Sequence, residues 1–68
     1  MSNPSYHNLP GLKRAIKAVG SAHKLALKLG IRRQAVYQWE RVPVEHVLKI
    51  EALTGVSRHL LRPDIYPR

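Results

Sequence analysis

The sequence predicts an all-α fold, a compact bundle of about five short helices, and three observations carry that reading. Apolar residues recur at spacings of three and four along most of the chain. No stretch alternates apolar and polar for more than four residues. The periodic segments are punctuated by glycines and by Ser or Pro at helix-starting positions.

The opening MSNPSYHNLP has two Pro, two Asn and two Ser and no helical period, so residues 1–10 read as a flexible arm. Leu12, Ala15, Ile16 and Val19 then follow the helical period, with Lys13, Arg14 and Lys17 turned outward and Gly20 as the stop. Ser21 suits the N-cap of a second helix over about 22–29, in which Ala22, Leu25, Ala26 and Leu29 face inward, Leu27 faces outward and Gly30 ends the run. A third helix over about 33–41 has Val36 and Trp39 on its apolar side, with Ala35 beside them. Arg33, Gln34, Tyr37, Gln38 and Arg41 lie on its other side. Pro43 suits the first turn of a fourth helix, Val44 to Thr54, whose Val47, Leu48, Ile50 and Leu53 are expected to face inward. Glu45 and Lys49 there have the helix-supporting i, i+4 order. Gly55 ends that helix, Ser57 caps a last short one over Arg58 to Leu61, and residues 63–68 are left as a C-terminal tail. Residues 11–62 form the expected domain.

A chain of 68 residues is one domain that buries only about 60% of its unfolded surface, so self-association would help it. It has no cysteine, which excludes disulfides and thiolate chemistry and suits a reducing cytoplasm. No apolar run approaches the roughly 20 residues that span a bilayer, so no membrane partner is expected. The charge is +8, and it is unevenly placed. Residues 1–39 hold seven Lys and Arg and no acid, whereas residues 40–68 hold five against four acids. Such a one-sided positive field attracts polyanions, nucleic acid first and an acidic membrane surface second.

A short helix, a glycine turn and an amphipathic helix make up a helix-turn-helix. Leu25 and Ala26, Leu29-Gly30-Ile31, and Val36 and Trp39 occupy its apolar, small and glycine positions. Ala22 to Arg41 resembles the helix-turn-helix of phage Cro-type repressors. The likeness continues through VPVEHVLKIEALTGVSRHLLRPDIYP, which is also similar to prophage YdaS-type regulators. The resemblance implies a lambda-repressor-like DNA-binding domain that acts as a transcriptional repressor. It also implies a homodimer on a two-fold-related operator of double-stranded DNA in the bacterial cytoplasm, with no cofactor and no small-molecule substrate. Carried onto this chain, the base-reading positions are Arg33, Gln34, Tyr37 and Gln38. Arginine can bond guanine at two points, glutamine the edge of adenine, and a tyrosine ring can lie on a thymine methyl. Arg32, Arg41, Lys24, Lys28, Ser21 and His23 fall near the phosphates. The family often has Gln at the first position of the second helix and Ser or Thr just before the recognition helix; this chain has Ala22 and Arg32.

Trp39 sits in the apolar register and is assigned to packing. His7, His23, His46 and His59 lack metal-ligand spacing, and no nucleophile has an orienting acid, so neither a metal site nor an enzyme is expected. Leu60, Leu61, Ile65 and Tyr66 admit two readings, a fold-back over the core or a dimer contact. The alternative function is an antitoxin-like or adaptor protein that meets a protein partner through that end.

Overall fold

The computed structural model describes residues 9–67. The arm expected over residues 1–10 lies outside the described residues as far as Asn8, His7 with it. Five helices follow in order: α1 Pro10–Val19, α2 Ala22–Leu29, α3 Arg33–Gln38, α4 Val44–Thr54 and α5 Arg58–Leu61. No strand occurs among the described residues.

The boundaries have local causes. Pro10 starts α1 because the first turn needs no backbone donor there. The Oγ of Ser21 accepts from Lys24 N–H at 3.1 Å and caps α2. At the other end of α2, Gly30 takes φ 74°. Its N–H donates to Leu27 O at 3.2 Å while Ile31 N–H donates to Ala26 O at 3.0 Å, the two bonds of a Schellman turn. Ile31 then packs on the Ala26 cluster, which sets the direction of the chain into α3.

α3 ends at Gln38, three residues short of the expected Arg41. Trp39 adopts extended angles, φ −65° and ψ 124°. Leaving the helix at Trp39 lets its indole stack on His46, ring centroids 5.6 Å apart. Trp39 packs against both core clusters, in keeping with its assignment to the interior.

The larger cluster joins Leu12 and Ala15 of α1, Leu25 and Leu29 of α2, Val42 of the loop after α3, Val47 and Ile50 of α4, and Leu61 of α5. The smaller one, Ala22, Ala26 and Val36, holds α3 on α2. Two expectations for α4 are corrected. Leu48 and Leu53 do not face inward; they are 50% and 39% exposed. The line through Val47 and Ile50 joins the core with residues of α1, α2 and α5, and at 100° per residue Leu48 turns off that line toward solvent.

The segment after α5 does not trail away. Ile65 and Tyr66 N–H groups both donate to Arg62 O, at 3.1 and 2.8 Å, and Tyr66 O lies 2.7 Å from His59 Nδ1. Arg62 is 8% exposed, donates through Nη1 to Val42 O at 2.7 Å, and grips the Asp64 carboxylate through Nε and Nη2 at 2.9 and 2.7 Å. This clamp ties the C-terminal turn to the loop that follows α3.

Candidate nucleic-acid interface

α2, the Schellman turn and α3 form a helix-turn-helix, and its outer surface is built from the polar residues of those two helices together with Leu27, which is 66% exposed as the sequence predicts. In α3 the buried residue is Val36. At 100° per residue, Arg33, Gln34, Tyr37 and Gln38 fill a sector of about 140° that lies away from it. Arg33, Gln34 and Gln38 are exposed. Tyr37 is half-buried and packs against the Ala22–Ala26–Val36 cluster, so part of the ring serves the fold.

On α2, His23, Lys24 and Lys28 are exposed, with the two lysines one turn apart. The Lys24 stem lies over Gly20. Arg32 is exposed at the N-cap of α3 and makes no side-chain cap bond. An arginine in place of the family's Ser or Thr therefore leaves that cap unmade. Ser21 accepts a backbone N–H for the α2 cap and keeps its own hydroxyl proton to donate.

The electrostatics of this surface are one-signed. From Ser21 to Trp39 there is no acid. Among the described residues, Lys24, Lys28, Arg32 and Arg33 enter no ion pair. Arg41 differs from them. It lies in the loop beyond α3, its side chain 70% exposed and Nη1 3.7 Å from Asp64 Oδ2. A groove of about 470 Å³ opens at the α5 end of the molecule; Arg41 lines it, and no side chain of α2 or α3 does.

The four residues weighed as dimer contacts separate. Leu61 is 6% exposed inside the core, which corrects any role for it as a surface contact. Tyr66 is half-buried against the same core, with the Arg58 guanidinium 5.7 Å over its ring. Leu60 is half-buried, and its carbonyl abuts Gly11. Ile65 remains 38% exposed. The fold-back reading accounts for most of this end because α1 and α4 need a cover there.

Sequence reasoning missed Arg62 and Asp64, which brace the loop after α3, and Gly11, which admits Leu60. The spacing Arg62-Pro63-Asp64 is a local signal for the ion pair, but nothing local points to Val42 O, twenty residues earlier.

Among the described residues no helix is long and apolar enough to cross a membrane. No solved structure matches the chain significantly. A phage protein, the Gene 30 protein of Enterobacteria phage phi80, is 38% identical over 60 residues, covering 81% of this chain and 82% of its own. The family model described as bacterial toxin YdaS matches residues 12–68, which takes in all of α2 to α5 and most of α1, and the chain therefore belongs to the YdaS family.

Proposed function

We propose that this chain is a sequence-specific regulator that binds double-stranded DNA in the manner of phage Cro-type repressors. In this reading α3 enters the major groove and two copies occupy a two-fold-related site. The observation that carries the proposal is the exposed edge of Arg33, Gln34 and Gln38, set beside Lys24, Lys28 and Arg32 on a surface without an acid. Each part has a chemical use. The six residues of α3 span about 9 Å, which fits a major groove about 12 Å wide. Arg33 can bond guanine O6 and N7 together, and Gln34 or Gln38 can bond adenine N6 and N7. The cations of α2 and Arg32 release counterions from the phosphates and fix register.

Selection of bound sequences from random duplex at a stated salt concentration tests this reading directly. The expected winners are inverted repeats with half-sites about one DNA turn apart. On such a site Gln34→Ala should cost about 1 to 3 kcal/mol and relax base choice at one position. Lys24→Ala should weaken every duplex alike and lower the salt slope by about one. Equal losses from both variants on all sequences would remove the specific-reader proposal. The family model's description names a toxin. If expression of the chain arrests bacterial growth, Gln34→Ala should relieve the arrest, because in this reading the harm comes from DNA occupancy.

The alternative, an adaptor that meets its partner through Leu60 to Tyr66, would rest on Ile65 and on the groove that Leu60 and Pro63 line, because Leu61 lies in the core and Tyr66 is half-buried on it.

A further inference from the structure

α4 carries an apolar line that nothing in the molecule covers. Val44 and Leu48 are 53% and 50% exposed, and Ala52, one turn further on, is exposed as well. Their i, i+4, i+8 spacing stacks them along one side of the helix. Glu45 and Lys49 flank the line, both exposed. The ion pair expected between these two within the helix is not closed. Glu45 instead lies 3.8 Å from His46 Nε2, and among the described residues Lys49 has no carboxylate partner.

Charge narrows what can approach. On α4 Glu45 and Lys49 balance one another and Glu51 is held by Arg58, whereas α1, α2, α3 and α5 contain no acid. Two copies of a chain with charge +8 repel each other least where this helix faces its counterpart. An isologous two-fold contact also requires a face complementary to itself. Glu45 and Lys49, four apart beside an apolar line, meet that requirement when two such helices run antiparallel.

We propose that Val44, Leu48 and Ala52 of α4 form the face on which a second copy of this chain docks. The two α4 helices cross antiparallel about a two-fold axis, and Glu45 of each copy stands opposite Lys49 of the other. Three side chains of this size cover far less than the roughly 800 Å² per partner of a standard interface. The dimer is therefore weak when free and gathers on DNA, where adjacent half-sites raise the effective concentration. The use of this face rests on the two-copy reading of function, but its existence can be measured without DNA.

The experiment is sedimentation of the full chain at concentrations up to about 1 mM, where even a weak pair is populated. Reversible dimerisation is expected. Leu48→Glu should weaken it at least about tenfold, whereas Ile65→Glu should leave it unchanged. Glu45→Lys and Lys49→Glu should each be monomeric alone and should associate when mixed, because like charges within each variant become opposite charges only across the pair. A wild-type chain that stays monomeric at every concentration and on a duplex with two inverted half-sites would overturn the proposal. So would a dimer indifferent to Leu48→Glu but lost in Ile65→Glu, or a mixture of the charge variants that fails to associate. Binding to a single half-site separates the two proposals: Leu48→Glu should keep wild-type affinity there, and a wild-type chain that dimerises without binding any half-site would remove the DNA reading alone.

Discussion

At Gly11 the backbone of α1 comes so near the carbonyl of Leu60 that a Cβ would collide with it. The neighbour is main chain, which cannot rotate away, so Gly11→Ala is expected to cost about 1 to 3 kcal/mol in denaturant unfolding. Gly30 is a glycine for a different reason. It has open space around its Cα but a φ of 74°, which an L side chain occupies at a cost of about 1 to 2 kcal/mol. Gly30→Asn should recover part of what Gly30→Ala loses, whereas Gly11→Asn should be no better than Gly11→Ala. The Gly30 requirement is legible in sequence because the glycine follows a periodic run at a helix-stop position. The Gly11 requirement is not, because it depends on a residue forty-nine positions away.

α3 is six residues long, less than two turns, and an isolated helix of that length is unstable in water. It holds its shape through Val36 on α2 and through Trp39, which leaves the helix to join both clusters and to stack on His46. Trp39→Ala is therefore expected to cost about 3 kcal/mol, the lower end for such a truncation because the indole is only half-buried. Amide exchange in α3 should accelerate most, and in the proposed function affinity should fall on all DNA sequences alike, unlike the single-position effect of Gln34→Ala. Unchanged exchange in α3 would refute this account of the tryptophan. α4 carries the opposite lesson. Its Val47 and Ile50 were legible from the period, but Leu48 and Leu53 satisfy the same apolar pattern and remain outside. A four-residue spacing identifies a helix with an apolar side without saying how wide that side is or what covers each part of it.

In the whole molecule, two carboxylate clamps hold the C-terminal end against the rest. Hydrogen bonds from Arg62 hold the Asp64 carboxyl down to about 2, and those from Arg58 hold the Glu51 carboxyl below its usual range. Both carboxyls ionise more readily in the folded chain than in the unfolded one, so each contributes stability that is fully present above the unfolded value and fades as pH falls toward the folded value. For Asp64 the window runs from its ordinary 3.8 down to about 2. Asp64→Asn should therefore be less stable than the wild type at pH 5 to 7, and the gap should narrow as pH drops through that window. Thermal unfolding across the range is the measurement, and a gap that stays constant would show that the ion pair adds nothing. Because Arg62 also donates to Val42 O, losing the clamp should loosen the loop after α3 before it disturbs α1 or α2.

Spacing, capping and composition within a few residues account for the five helices, most of their limits, the turn at Gly30, the polar edge of α3 and the absence of acid from residues 1–39. Tertiary structure alone decided that α3 stops at Gln38, that Tyr37 is partly committed to the core, that Leu61 is interior, and that Val44 and Leu48 are left uncovered. Those outcomes depend on which helices meet and how much of each side they cover, and such contacts join residues too far apart in the chain for local pattern to fix.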